Sequence, residues 1–282
     1  MSRTSLRAVS ALAVSCLSTA LVAGCLDTET ADTTDLKDPE VLLAVASSPE
    51  LALPPKPALA QLATADSATQ KRFVDAALGA DVSDVFTSVV GLSLSPASTC
   101  PAVGRRGDRI YAAADCTDAA GVHWSGNFRA QTWSDTRPMT IELERWSMDA
   151  PGTKNDRAWD GTVTVDPNGR FTANLAVYKD GRVSRTVATW EANDGRVVAD
   201  LDSYVLVQEH GLAQIGGAWR MPRDERATGA LFLTGAQELT VDFDGISADT
   251  PHCAPVYADG ESLGSRCDLL DLVTHLTAFE LF

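Results

Sequence analysis

Residues 166–199 read DPNGRFTANLAVYKDGRVSRTVATWEANDGRVVA and repeat one signal three times. Asn168-Gly169-Arg170-Phe171, Asp180-Gly181-Arg182-Val183 and Asp194-Gly195-Arg196-Val197 each place a Gly after an Asn or Asp. Such pairs supply the positive φ angles of tight β-hairpins. The copies lie 12 and 14 residues apart, one strand plus one turn. Between the first two, Phe171, Ala173, Leu175 and Val177 share one face. Arg170, Thr172, Asn174 and Tyr178, with Ala176 among them, share the other. That alternation marks a half-buried antiparallel strand. Turns this short exclude the crossovers of a parallel sheet, so the class is mainly β and antiparallel. Consecutive turns of a meander lie at opposite ends. Arg170 and Arg196 therefore share one end, Arg182 takes the other, and the three cannot form one anion site.

Working outward, period-two patterning predicts about ten strands: 108–114, 121–133, 139–148, 158–165, 170–178, 182–191, 196–208, 212–221, 228–233 and 238–243. An open sheet, a half-barrel or a barrel-like closure all fit. Two short helical patterns precede them. Ser67-Ala68-Thr69-Gln70 reads as a capping box before Phe73, Val74, Ala77 and Leu78. Asp81 is a candidate cap for Val82, Val85, Phe86, Val89 and Val90, which run at helical spacing to Gly91. After the strands, Leu269, Leu272, Val273, Leu276 and Phe279 return to helical spacing. A terminal Phe282 is also how outer-membrane barrel strands end, but period 3.6 outweighs period 2 here.

The N-terminus reads as an address. Arg3 and Arg7 precede an uncharged small-residue run from Ala8 to Ala23, and the segment ends Leu21-Val22-Ala23-Gly24-Cys25. A basic start, a short apolar run and small residues mark residues 1–24 as a secretory signal peptide. Small residues before a cysteine resemble the lipobox of bacterial lipoproteins. The resemblance implies cleavage before Cys25, lipidation of its thiol and acylation of the new amine. Several acyl chains on one residue give durable anchoring. Leu26 follows, and Asp27 comes one place later than the acid that retains enteric lipoproteins at the inner membrane. The resemblance therefore leans to the outer membrane. Residues 25–66 follow as a tether, with seven acids and five prolines between Leu26 and Pro57, a composition that buries little. Residues 67–282 form the single β domain. The Arg-rich basic set, with five Lys among 23, loosely resembles lipoproteins of GC-rich Gram-negative bacteria such as myxobacteria.

Six cysteines less Cys16 in the signal and Cys25 leave Cys100, Cys116, Cys253 and Cys267. An exported chain meets an oxidising compartment, and four cysteines allow three connectivities. The short loops Cys100–Cys116 and Cys253–Cys267 are the expected disulfides, each worth about 3 kcal/mol. A metal site is the rival, with His252 beside Cys253 but neither a C-x₂-C nor a His pair.

The 282 residues carry 23 Lys+Arg against 38 Asp+Glu, a formal charge of −15. That balance disfavours nucleic acid as a partner and electrostatic adhesion to anionic lipid. Neither H-E-x-x-H, a P-loop nor G-x-G-x-x-G after a strand is present. The histidines His123, His210, His252 and His275 are scattered. Asp200 with Asp202 and Asp242 with Asp244 fit no EF-hand spacing, and alternating acids on an exposed strand read the same way. Arg106-Gly107-Asp108 is a three-letter adhesion match that chance supplies. No cofactor is expected.

The six Trp carry the binding expectation. Parity puts Trp124, Trp159 and Trp219 with apolar neighbours. It puts Trp146 with Thr140, Glu142 and Glu144, and Trp133 with His123, Ser125, Asn127, Arg129 and Gln131. Half-exposed Trp133 and Trp146 with Arg129 would suit an envelope glycan or peptide. Cross-strand packing under a loop or helix gives the same pattern. Three functions follow: a tethered structural or ligand-binding lipoprotein; a lipid or lipoprotein carrier, resembling outer-membrane lipoprotein receptors with an open half-barrel and an apolar cavity; and an envelope hydrolase.

Overall fold

The computed structural model describes residues 58–93, 99–131, 137–150, 156–179, 181–193, 196–220, 226–251 and 253–267. The expectations at Cys25, Trp133, His252 and the 269–279 stripe lie outside them. The described residues belong to a unit running from Leu43 to Phe282. Helices α1 (Ser67–Ala77) and α2 (Ala80–Ser93) come first. Then come β1 (Ala102–Arg106), β2 (Arg109–Thr117), β3 (His123–Gln131), β4 (Met139–Asp149), β5 (Arg157–Val165), β6 (Arg170–Lys179) and β7 (Arg182–Asn193). The series continues with β8 (Arg196–Ala199), β9 (Tyr204–Val207), β10 (Gly211–Arg220), β11 (Thr228–Thr234), β12 (Glu238–Asp242), β13 (Ala254–Ala258) and β14 (Glu261–Arg266).

All fourteen strands form one antiparallel meander. β8 and β9 lie end to end between β7 and β10, so the sheet has thirteen lateral positions. The expected single strand 196–208 is broken because Ser203 N–H bonds Asp200 O at 3.0 Å while the buried Ser203 Oγ receives Thr189 N–H. Three strands were not expected: β1, β13 and β14. β1 and β14 carry Gly104 and Gly264 and are edge strands with little burial to enforce alternation, whereas β13 alternates but spans only five residues. Both disulfides form as expected, and each closes the open end of one edge hairpin: Cys100–Cys116 beside β1–β2, Cys253–Cys267 beside β13–β14.

A flat sheet of thirteen positions would be about 58 Å wide, against about 20 Å for two helices side by side. Yet one buried apolar cluster runs from Ala112 on β2 to Val256 on β13 and includes both helices. The sheet must therefore curl around the hairpin α1–α2. Local chemistry supplies the bend. On β4, Glu144 and Arg145 together oppose Asp160, a β-bulge with Arg145 at φ 48°. Gly161 faces it at φ 131°, where a Cβ would stand 2.0 Å from Asn174 O.

The capping differs from expectation. Asp66, not Ser67, caps α1, its Oδ1 receiving Thr69 N–H at 2.7 Å. Asp81 lies inside the first turn of α2, and its carboxylate is turned to Arg72. Residues 58–62, assigned by composition to the tether, are in the fold. Leu59 bridges Leu212, Ala60 N–H bonds Leu212 O at 2.9 Å, Ala236 N–H bonds Ala60 O, and Ala60 and Leu62 are buried.

Gly161→Ala should destabilise by about 2–4 kcal/mol in urea unfolding, through clash and left-handed strain together. Gly91→Ala, at an exposed position of α2 with open space around it, should stabilise by about 0.5–1 kcal/mol. Equal effects of the two would refute the kink at Gly161.

Candidate functional site

The inner face of β5, β6 and β7 is built in cross-strand rows. Arg157, Lys179 and Arg182 form the first, at the end of the sheet where the β6–β7 turn lies. Below it come Trp159–Val177–Ser184, then Gly161–Leu175–Thr186, Val163–Ala173–Ala188 and Val165–Phe171–Trp190. Charge thus gives way to hydroxyls and then to apolar and aromatic side chains. Eight residues of strand separate Arg157 from Val165, about 27 Å. Arg170 and Arg196 lie at the other end, as the turn arithmetic requires.

The hairpin α1–α2 meets this face through polar contacts. Arg157 Nη1 donates to Asp84 Oδ2 at 2.8 Å, and Lys179 Nζ reaches the same oxygen at 3.1 Å. Arg182 Nη1 donates to Thr69 Oγ1 at 2.8 Å, with its Nη2 3.8 Å from Asp66 and His210 Nε2 3.4 Å from the same hydroxyl. Deeper, Arg72 on α1 pairs with Asp81 on α2 at 2.8 Å and donates to Ser184 Oγ. Trp190 Nε1 donates to Ala77 O at 2.9 Å. Only part of this polar inventory is matched. Arg72 Nε, Asp81 Oδ2 and Thr186 Oγ1 are buried without a hydrogen-bond partner, as are the indole N–H groups of Trp146, Trp159 and Trp219. Each such group costs about 1–3 kcal/mol, and a native core carries few.

Burial opposes the charge on Arg72, but the Asp81 carboxylate outweighs it and the guanidinium is held more basic than usual. Burial pushes Asp75 up, against the pull of Lys71. Asp66 is held below the usual carboxylate value, first by the Thr69 backbone N–H and hydroxyl and then by Arg182.

The expected ligand face does not survive at Trp146, which is fully buried. The bulge at Glu144–Arg145 inserts one residue and reverses parity, so Glu144 and Arg145 both face out and Trp146 faces in. There it meets Phe128 edge-on at 5.0 Å and Trp124 at 5.6 Å between centroids. Arg129 is exposed on the outer face, opposite Glu142 and Tyr111. The structure therefore puts Arg129 and Trp146 on opposite faces. Trp159 and Trp219 are core, and Trp124 is half-buried with its Nε1 on Asp118 at 3.0 Å.

The inner basic row was not recognised from sequence. The signal for it is parity: Arg157, Lys179 and Arg182 each occupy the inward phase of their strands at the ends facing one turn.

Other polar groups have local roles. Asp242 Oδ1 receives the Asp244 and Gly245 N–H groups in a turn, and Asp200 pairs with Arg170. His123 Nε2 lies 3.5 Å from Asp115, and Asp149 across from it is raised by sharing a hydrogen bond with Asp156. Among the described residues no three His, Cys, Asp or Glu are placed to hold a metal ion, and no helix is long and apolar enough to cross a membrane. Against known proteins the chain matches no family model, no curated protein and no solved structure.

Removing one partner of the deep ion pair should be costly. Asp81→Ala should lose about 3–5 kcal/mol, whereas Arg72→Met with Asp81→Leu should be close to neutral, as denaturant unfolding would show. Equal losses for single and double variants would contradict the pairing. The carboxylates make opposite pH predictions. With its folded pKa lowered, Asp66 contributes stability above the unfolded value of about 3.9 that is lost as pH falls through the folded one. Asp66→Ala should thus lower Tm at pH 7, and the difference should close in acid. With its folded pKa raised, Asp75 favours the fold only at low pH, so Asp75→Asn should raise Tm at pH 7.

Proposed function

We propose that this is an exported lipoprotein, anchored through Cys25, that holds a lipid-like amphiphile on the inner face of its curled sheet beneath α1–α2. The observation that carries the reading is the graded inner face. It runs from a basic rim to an aromatic floor and is closed by a hairpin that rests on the rim through ion pairs. The three indole N–H groups without acceptors add donors along that face for ester or hydroxyl oxygens. Burial of an acyl chain supplies about 0.8 kcal/mol per CH₂. The carrier reading is favoured over the outer-face binding reading because Trp146 and Arg129 do not share a surface.

Two measurements test it. Mass spectrometry of membrane-extracted protein should find Cys25 as a lipidated N-terminus, and Cys25→Ser should leave an unacylated precursor or a soluble form. An unmodified Cys25 would sink the anchor. The soluble Cys25→Ser chain should bind the apolar dye N-phenylnaphthylamine with enhanced emission and release it to a single-tailed lipid. A cross-link engineered between α2 and β6, which pack together, should lock the hairpin down and abolish uptake. Dye binding unaffected by the lock would place the ligand elsewhere.

A further inference from the structure

Asp84 is an internal carboxylate seated on two cations. Its side chain is 8% exposed, while those of Arg157, Lys179 and Arg182 are 28%, 21% and 32% exposed. The cations are thus partly exposed to solvent. Their three positions are consecutive cross-strand neighbours, so the head groups converge on a site about two strand spacings wide, near 10 Å. Arg supplies a planar fork and Lys a mobile point charge, the donor set that takes phosphate or carboxylate. In a chain of net charge −15, three cations in one row are against the general trend. The apolar rows begin directly beneath them, with Trp159 and Val177 next in register. The segment that leads back toward Cys25 also arrives at this end, where Ala58 O receives Leu212 N–H at 2.8 Å.

Resting on the proposed reading of the inner face, we infer that the Arg157–Lys179–Arg182 row is the subsite for an anionic lipid headgroup. Asp84 occupies this row in the closed arrangement as an intramolecular stand-in. Ligand entry exchanges one carboxylate for one phosphate or carboxylate, so no cation is left bare at any stage. The same exchange removes the ion pairs that hold α2 to β5 and β6, which couples headgroup capture to opening of the hairpin. Asp81, paired with Arg72, and Asp75, paired with Lys71, stay engaged on the helices.

The test uses the full chain carrying Cys25→Ser and reads displacement of N-phenylnaphthylamine. Lysophosphatidylglycerol and lysophosphatidylcholine of equal chain length are compared below their micelle concentrations. The anionic lipid should bind about tenfold tighter, and the gap should narrow at high salt. Arg157→Gln with Lys179→Gln should bring the ratio of the two affinities close to one. Asp84→Asn removes the competitor and should tighten the anionic lipid severalfold more than the zwitterionic one. Because the wild-type ratio alone decides the matter, an unfolded double variant would not rescue the idea. Equal affinities in the wild type overturn the headgroup subsite and leave the carrier reading standing. Failure of both lipids to displace the dye overturns both. Loss of the preference in inorganic phosphate at the lipid's own concentration would assign the row to free anions and overturn the lipid assignment.

Discussion

An apolar sheet face about 58 Å across cannot be covered by two helices spanning about 20 Å unless the sheet coils onto them. Burial of that face is the largest favourable contribution available to a chain of this size, so the coiling follows from it. Coiling in turn dictates where backbone strain is tolerated. The β4 bulge at Arg145 and the left-handed Gly161 sit on adjoining strands, Gly161 opposite Leu143 just before the bulge. A straight run there would carry Trp146 outward and expose a large indole. The curl also leaves two sheet edges, since the strand order begins at β1 and ends at β14. An edge strand has one neighbour and frays more readily than a central one. The two disulfides stand at these edge hairpins and nowhere else among the described residues.

The meander was legible because its turns are explicit. Asn168-Gly169 and the two Asp-Gly pairs announce hairpins, and the strands between them are central, with one face buried and one wet. Alternation is forced there, and the expected strands 158–165, 170–178 and 182–191 match β5, β6 and β7 to within two residues at each end. The edge strands were not legible. In β14 every residue from Glu261 to Arg266 is at least partly exposed, so the pattern that betrays a strand is never imposed. Parity failed at one place for a different reason. Reading Trp146 from Glu142 and Glu144 assumes an unbroken strand, and no residue type in Leu143-Glu144-Arg145-Trp146 demands a bulge. The cause lies across the ladder, in Gly126 and Gly161, where a Cβ would meet Arg145 O at 2.1 Å and Asn174 O at 2.0 Å. Register between strands is tertiary information, and sequence parity carries none of it.

The polar groups under the hairpin show the same division. Arg72 and Asp81 occupy inward positions of amphipathic helices; sequence marked Asp81 as a cap and gave no sign of Arg72's role. They are instead 7% and 1% exposed and fasten α1 to α2 and to Ser184. Replacing such a pair by apolar side chains commonly keeps or raises stability. Its retention here is therefore poorly explained by stability and better by specificity of seating. An apolar hairpin could slide along a smooth apolar face, whereas Arg72, Asp84 and Thr69 each have a designated partner on β5, β6 or β7.

Seating by charge bears on the proposed carrier function, in which the hairpin must stay closed without a ligand. Asp84 is tethered beside Arg157 and Lys179, so its effective concentration there is of the millimolar order that short linkages confer. A free anion at lower concentration cannot compete by charge alone. An anion joined to an acyl chain can, because each methylene buried adds about 0.8 kcal/mol, and four or five of them offset a thousandfold disadvantage of about 4 kcal/mol. In the proposed exchange the headgroup confers selectivity and the chain confers affinity. A hairpin held only by apolar packing would reject soluble anions equally well but would not distinguish one lipid from another. One held by a fully buried ion pair would not release at all. The half-exposed row at Arg157, Lys179 and Arg182 lies between these limits, with Arg72–Asp81 beneath it keeping the two helices together as they move.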